Sequence, residues 1–171
     1  MAVREVLRVP DPVLKQRARA LGEGDEDRAT IERVARDLVD TMRAHERCVG
    51  VAAPQLGEPV RMVVVDVSDH PKARSRNGLL VLVNPRVVRA EGSEVAREGC
   101  LSIPDFTANV RRATDVTIAA HDPAGHELSV DADAFEARCL LHEIDHLDGL
   151  LFLDRVDSLA TDVFRRKNYS G

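Results

Sequence analysis

The hydrophobic residues of this chain are spaced with two different periods, and the first long block has the period of a helix. Between Arg28 and about Glu46 the apolar residues recur at steps of three and four, with charged residues between them. They are Ile31, Val34, Leu38, Val39 and Met42. This spacing predicts an amphipathic helix near the N-terminus. Acids up to Asp27 precede it, as expected where a helix N-terminus favours negative charge.

The next block is dense in valine and leucine and predicts strands. The segments Arg61 to Val67 and Leu79 to Asn84 have the length and composition of buried strands. Shorter strands are expected around the turn at Glu91-Gly92, and the segment Val116 to Ala120 should form a hairpin with Leu128 to Val130. Every connection is too short for a helical crossover, so we expect antiparallel pairing.

The helical period returns after Asp133 and predicts a second helix that ends near Gly149. Its apolar positions are Phe135, Cys139, Leu140, Ile144 and Leu147. A last short helix is expected from Ser158, with Leu159, Val163 and Phe164 turned inward. With 171 residues, one domain spanning residues 1–171 is expected. The pattern predicts an α+β fold in which antiparallel sheets pack around the second helix, with an N-terminal amphipathic helix and a short C-terminal helix.

The second helix contains the sequence His142-Glu143-Ile144-Asp145-His146. Histidines four residues apart face the same way on a helix, so one divalent metal can touch both. Glu143 lies at the edge of that face, where its carboxylate can reach a water on the metal without being a ligand. This arrangement is typical of a hydrolase. The competing interpretation is a helix with two solvated histidines and a coincidental glutamate.

A third metal ligand has to come from upstream. Zinc peptidases with this motif take a downstream Glu or His, but no Glu follows Glu143 and no His follows His146. Cys100 offers a thiolate, which with two imidazoles leaves a fourth position open for water, as in catalytic sites. The alternative is that Cys100 is a small buried hydrophobic residue, which is the interpretation we give Cys139.

Small residues follow the first helix, from Cys48 to Gly57. Gly50 has no side chain to obstruct a ligand, so it can present its N–H to a ligand's backbone. The segment is therefore a candidate cleft wall. A tight turn after the helix explains the same composition equally well.

Composition and charge limit the function classes further. The formal net charge of -5 argues against nonspecific binding to nucleic acid, and we expect no specific DNA partner. The chain has no run of about 18 apolar residues, and its start lacks the features of a signal peptide. Three cysteines without disulfide-framework spacing fit a reducing compartment. We expect a cytoplasmic monomer that does not associate with membranes.

Three segments in this order resemble the signature motifs of peptide deformylase. They are Gly50-Val51-Ala52-Ala53-Pro54-Gln55, Glu98-Gly99-Cys100-Leu101-Ser102 and His142-Glu143-Ile144-Asp145-His146-Leu147-Asp148-Gly149. The opening Pro-Asp-Pro-Val-Leu and the order of elements also match, so the resemblance covers nearly the whole chain. It implies an antiparallel α+β fold around the motif helix, and removal of the formyl group from the N-terminal formylmethionine of newly made proteins.

The resemblance also implies roles for individual residues. Cys100, His142 and His146 would hold the metal, with ferrous iron (Fe2+) the usual ion and zinc (Zn2+) or nickel (Ni2+) as substitutes. Glu143 would be the general acid and base. The Gln55 side chain and the Leu101 N–H would hold the formyl oxygen, and Gly50 would border the substrate.

Two residues depart from the family pattern. Cys48 stands where the first motif usually begins with glycine, and Leu141 replaces a glutamine common before the first histidine. The first puts a thiol at the cleft rim, and the second removes a polar group near the metal. The competing functions are a zinc peptidase or another amidase, and a weakened paralogue that does not deformylate and holds a structural metal.

A basic cluster, Arg165, Arg166 and Lys167, lies near the C-terminus of this acidic chain. Its simplest explanation is that cations complement the dipole at the end of the last predicted helix. The alternative is a weak, salt-sensitive contact with ribosomal RNA, because the family implied by the resemblance acts on chains that leave the ribosome.

Overall fold

The computed structural model describes residues 3–166, which contain two helices and eight strands. The helices are α1, Asp25–Ala44, and α2, Ala134–Leu147. The strands are β1 Gly50–Ala52, β2 Met62–Val65, β3 Leu80–Glu91, β4 Glu94–Cys100, β5 Ile103–Arg112, β6 Asp115–His121, β7 Glu127–Asp133 and β8 Val163–Arg165. Short 3-10 turns occur at Pro12–Lys15, Ala53–Leu56 and Phe152–Arg155.

The strands form two separate antiparallel sheets. The larger sheet has the order β1-β2-β3-β6-β7, and the smaller has the order β4-β5-β8. The prediction of an antiparallel α+β fold is confirmed. The predicted hairpin is also present, since β6 pairs with β7 from Asp115↔Asp133 to His121↔Glu127.

The two helices cover opposite faces of the larger sheet. On β2 the residues Val63 and Val65 belong to the core that contains Leu140 and Leu147 of α2. Their neighbours Met62 and Val64 belong to the core that contains the apolar side of α1. All four β2 residues are therefore buried, which explains why this strand is an unbroken apolar run rather than an alternating one.

The smaller sheet brings the end of β4 to α2. Its apolar residues Cys100, Ile103, Ala108 and Val110 pack with Leu151 and Phe152, which follow α2 in the chain. Phe152 is 1 % exposed, and its packing in this cluster attaches the segment after α2 to the smaller sheet. Cys100 is thereby placed against the helix that contains the two histidines.

The predicted C-terminal helix is wrong. The chain makes a turn after Ser158, and residues Val163–Arg165 form β8 on the edge of β5, with Phe164 opposite Thr107. Leu159 is 70 % exposed and does not turn inward, although Val163 packs partly against the smaller-sheet core. The free edge of β5 offers backbone hydrogen bonds, and these outweigh a three- and four-residue apolar spacing only two turns long.

Two features of the sheets also differ from expectation. Val87 and Val88 continue β3 instead of forming a separate strand, and β3 and β4 lie in different sheets on either side of the turn at Gly92. The strand β5 was not predicted at all. The predicted helix α1 is present, but it begins at Asp25 instead of Arg28 and ends at Ala44 instead of about Glu46, so the three acids lie in its first turn. Neither α1 nor α2 is long and apolar enough to cross a membrane.

Candidate metal centre and its cleft

Three buried side chains, two from α2 and one from β4, come together at one face of α2. His142 and His146 lie one turn apart on the helix, and Cys100 is the last residue of β4. One ligand atom from each lies within 4.8 Å of the others, and Cys100 Sγ is 3.5 Å from His146 Nε2. Bonds of about 2.0–2.3 Å to a tetrahedral ion require ligand atoms roughly 3.3–3.8 Å apart. The group therefore has the size and donor types of a site for one divalent cation.

Hydrogen bonding orients one of the two imidazoles. His142 Nδ1 donates to Glu98 Oε1 at 2.8 Å, because an ionised carboxylate can only accept. This leaves His142 Nε2 for the metal. The position of His146 on α2 also orients its ring. Burial lowers the pKa of His146 well below the ordinary value, which favours the neutral form that binds metals.

The ligand group leaves room for a further, nonprotein ligand. Among residues 3–166, no fourth Cys, His, Asp or Glu joins the three. Cys48 lines the same cleft, but its Sγ donates to Gly50 O at 3.4 Å, and burial together with the charge of Glu143 raises its pKa to about 12. The thiolate is the form that binds metal or becomes oxidised, so Cys48 is poorly suited to either reaction.

Glu143 lies in the cleft next to Gly50. Its side chain is buried, and its Oε1 has no hydrogen-bond partner within the described residues. A Cβ at position 50 would lie 2.7 Å from Glu143 Oε2, so only glycine leaves this carboxylate its place. Burial raises the pKa of Glu143 to about 7. A carboxyl group with that proton affinity is suited to take up and return a proton near neutral pH.

Gln55 and Leu101 lie close to Cys100 on different elements. Gln55 is in the turn Ala53–Leu56, and its Oε1 accepts from the Ala52 N–H at 2.9 Å. This bond directs the amide nitrogen of Gln55 towards Ser102 Oγ at 3.1 Å and Cys100 Sγ at 3.5 Å. Leu101 follows Cys100 in the turn between β4 and β5. The side-chain amide of Gln55 is thus fixed at the metal group.

The candidate residues line one cleft of about 390 Å³. Its wall includes Gly50, Gln55, Cys100, Leu101, His142 and Glu143. His146 lies behind this surface with 1 % exposure. The cleft has the size of a small-molecule or peptide-end site, and polar groups converge at its base. Of the seven residues assigned to the site from the sequence, six therefore line one cleft and His146 lies behind its surface.

A buried carboxylate that the sequence analysis did not assign a role, Glu98, fixes the metal group from behind. Besides His142, it accepts from Arg112 Nε at 2.7 Å and from Arg138 at 2.7 Å. Burial opposes its ionisation more than any other single effect, but the hydrogen bonds from His142 and Arg112 lower its pKa to about 2. Glu98 is therefore a permanent anion, and its charge holds the His142 ring.

Arg112 provides a second connection from Glu98 to α2, besides the one through His142. Arg112 Nη1 donates to Asp145 Oδ2 at 2.7 Å, and Asp145 also accepts from Arg155 at 2.9 Å and 3.1 Å. Asp145 stands between the two histidines in the sequence, so the helix is held on both sides of the metal face. A half-made network of this kind would be costly, because each unpaired buried charge loses its hydration.

Local signals for this network are uneven. Glu98 lies two residues before Cys100 and Asp145 lies inside the histidine motif, so their positions are a local signal, although the sequence analysis gave neither residue a role. Arg112 comes from β5, which has no clear sequence pattern, and nothing local pairs it with residues 14 and 33 positions away. Leu141, where the family pattern has glutamine, is partly buried and packs against the core of the larger sheet.

Comparisons with known proteins agree on one family. The family model described as "Polypeptide deformylase" matches residues 3–162. The peptide deformylase of Thermodesulfovibrio yellowstonii is 38% identical over 98% of this chain and 97% of its own. A peptide deformylase structure from Legionella pneumophila, 36% identical, superposes with a TM-score of 0.79 over 92% of this chain and 88% of that one. A Met-Ala-Ser-bound class I type b enzyme from Acinetobacter baumannii, 28% identical, has a TM-score of 0.81 over 90% and 99%.

Replacing Cys100 tests the ligand set. The variant Cys100→Ala should lose most of its bound metal, because one of three protein ligands is removed. The matched variant Cys48→Ala should keep the metal content of the wild type, since its protonated thiol is not a ligand. Metal content after dialysis, measured by mass spectrometry on all three proteins, distinguishes them. One equivalent of metal retained by Cys100→Ala would point to Cys48 or an aspartate as the true ligand.

Replacing Glu98 tests the support behind His142. The change Glu98→Gln keeps the shape but removes the charge that pairs with two buried arginines, so metal affinity should fall about 10- to 100-fold. The metal-free protein should also lose about 3 kcal/mol or more of unfolding free energy. Titration against a competing chelator and chemical denaturation measure the two effects. Glu94→Gln, on the exposed start of the same strand, is the control, and equal metal affinity in both variants would refute the assigned role of Glu98.

Proposed function

The chain belongs to the polypeptide deformylase family, and from that premise we propose how its own residues carry out the reaction. It is a hydrolase that removes the formyl group from N-formylmethionyl peptides and releases formate and a free N-terminus. One observation carries the proposal. A metal-sized group of one cysteine and two histidines lies at the base of a cleft that also contains Glu143, whose Oε1 has no hydrogen-bond partner among residues 3–166.

The cation is proposed to be ferrous iron (Fe2+), with zinc (Zn2+) or nickel (Ni2+) able to replace it. A thiolate with two imidazoles suits any of these borderline ions better than magnesium or calcium, which prefer oxygen. Cys100 Sγ and the Nε2 atoms of His142 and His146 would hold it. When bound, such an ion acidifies a coordinated water and polarises a carbonyl oxygen.

Glu143 is proposed as the group that moves the proton. Its free carboxylate oxygen can accept a proton from the attacking water and then deliver it to the amine nitrogen that leaves. Gly50 makes room for this carboxylate at the cleft wall. The overall change balances, because one water adds to the formyl carbon, the C–N bond breaks, and the two protons of the water end on the nitrogen, which gives formate and a protonated amine.

Gln55 and Leu101 are proposed to stabilise the oxyanion. Negative charge develops on the formyl oxygen when the water adds, and preorganised N–H donors stabilise it most when they need not move. The bond from the Ala52 N–H fixes the amide of Gln55, so its Nε2 is held beside the metal group, 3.5 Å from Cys100 Sγ. The Leu101 backbone N–H, in the turn that follows the cysteine, would be the second donor.

The cleft is proposed to take the methionine end of the substrate. The Acinetobacter enzyme with Met-Ala-Ser bound has a ligand with the sequence of a deformylated N-terminus, and the present cleft is of a size to hold a methionine side chain against Phe135 and Cys139. Gly50 would let the peptide backbone approach the wall closely.

Two other functions use similar chemistry. A peptidase or general amidase would also use Glu143, but the third ligand here is an upstream cysteine and not the downstream Glu or His typical of such enzymes. A structural metal site would have a fourth protein ligand, and within residues 3–166 the group offers three. Both observations favour the deformylase.

The remaining expectations concern the whole protein. We propose one catalytic domain over residues 1–171, active as a monomer in the cytoplasm, where formylated chains are made. Ribosome contact through Arg165, Arg166 and Lys167 is also a proposal. The competing explanation, that these cations complement the dipole of a C-terminal helix, no longer applies because β8 replaces the predicted helix. Arg165 is exposed, Arg166 lines the cleft, and Lys167 lies outside the described residues.

The base is tested by Glu143→Gln. The amide keeps the side-chain shape but cannot accept the proton, so kcat for a formyl-Met peptide should fall about 10²- to 10⁴-fold while the metal is retained. Formate release by anaerobically purified protein, with metal content measured on the same sample, gives both values. Glu32→Gln, on the exposed side of α1, is the control. Turnover near the wild-type rate in the Glu143 variant would exclude Glu143 as the base.

Ribosome contact is tested with Arg165→Ala combined with Lys167→Ala, which leaves Arg166 in the cleft. If these residues touch ribosomal RNA, binding to purified ribosomes should weaken and its salt dependence should become shallower. Cosedimentation across a salt series measures this. A pair on α1, Arg28→Ala with Arg36→Ala, removes the same charge elsewhere. Equal binding by the two double variants would dispose of a specific contact.

A further inference from the structure

The mouth of the cleft has three exposed or half-exposed arginines: Arg47, Arg97 and Arg166. No carboxylate lies within ion-pair distance of any of them in residues 3–166. Glu46, next to Arg47 on the rim, offsets part of this charge. The mouth is nevertheless positive in a protein whose formal net charge is -5.

Arg97 is held in place by neutral groups. Its guanidinium lies 3.9 Å over the ring of Phe164 and donates to Asn109 Oδ1 at 3.2 Å and to Thr107 Oγ1 at 3.3 Å. These contacts restrict the side chain without neutralising it. The deeper arginines differ, because Arg112 and Arg138 are paired with Glu98. A positioned guanidinium with an uncompensated charge is suited to bind a carboxylate.

Arg166 reaches the same place from the C-terminal strand. Its backbone N–H donates to Asp105 O at 2.7 Å, which extends the β5–β8 pairing by one residue. Its guanidinium lies over Gly99, where a Cβ would collide with it. The absence of a side chain at Gly99 therefore makes room for Arg166 directly beside the Cys100 end of the cleft.

We propose that Arg97 and Arg166 form a subsite for acidic side chains, so that the enzyme prefers formyl-Met peptides with Asp or Glu among the residues that follow the methionine. The inference rests on the proposed function. With the formyl group at the base of the cleft, the following residues leave through the mouth and pass these arginines. A cleft mouth of one sign also concentrates ligands of the opposite sign.

The test compares amidated formyl-Met-Ala peptides that continue with Asp-Asp, Gln-Gln or Lys-Lys. For the wild type at low ionic strength, kcat/KM should favour the Asp peptide over the Lys peptide about 5- to 20-fold, the effect of two or three exposed ion pairs. The difference should lie mainly in KM and should shrink as salt is added. Rates are read from formate release.

Variants locate the effect. Arg97→Gln with Arg166→Gln should reduce the Asp-to-Lys ratio to within about twofold of unity, whereas Arg36→Gln on α1 should leave it at the wild-type value. Arg97→Lys should keep part of the preference, because it retains the charge but not the planar stacking on Phe164. If the double variant does not fold, the wild-type ratio and its salt dependence still decide the question.

The outcomes separate the two proposals. Absence of formate release from every peptide by metal-loaded wild type would overturn the proposed function itself. Equal kcat/KM for all three peptides at low salt would overturn only the acidic subsite. An unaltered ratio in the double variant would also overturn it. Loss of ribosome binding in the Arg97→Gln/Arg166→Gln variant, with no peptide preference in the wild type, would assign these two arginines to RNA binding instead.

Discussion

The metal centre depends on one buried anion, the carboxylate of Glu98. Glu98 is buried, and an isolated charge in the protein interior costs much free energy. The charge is tolerated because His142, Arg112 and Arg138 all donate hydrogen bonds to it. These partners come from α2 and from β5, so a single side chain of β4 connects the helix to both long strands of the smaller sheet. Two residues further along the same strand is Cys100.

That connection determines where the ligands meet. The cysteine is on the smaller sheet and the histidines are on a helix whose apolar face packs against the larger sheet. Hydrophobic packing alone allows sliding and repacking of such layers. Charged hydrogen bonds at fixed lengths do not, and Arg112 makes them to Glu98 and to Asp145 at once. We infer that the network contributes alignment of the ligands more than net stability.

Sequence reasoning succeeded where chemistry is local. The i, i+4 histidines, Glu143 between them and the α1 spacing are all determined by helix geometry, which a linear pattern displays. It missed what depends on distant pairing. Neither β5 nor the partners of Arg112 has a local signature, because a strand is defined by its neighbours and an ion pair by the fold. Cys48 shows a further limit, because the spacing of residues along the sequence does not reveal the burial that raises its pKa.

The C-terminal segment shows how one nonlocal pairing changes a functional interpretation. Read as a helix, residues after Ser158 would place their cations at a helix C-terminus, where the dipole accounts for them. Paired with β5, the same residues alternate in direction, so Arg165 and Arg166 face different surroundings. Phe164 then supports Arg97, and Arg166 lies over Gly99. The charge of Arg166, which would need no explanation at a helix end, thus becomes part of the cleft because a three-residue strand precedes it.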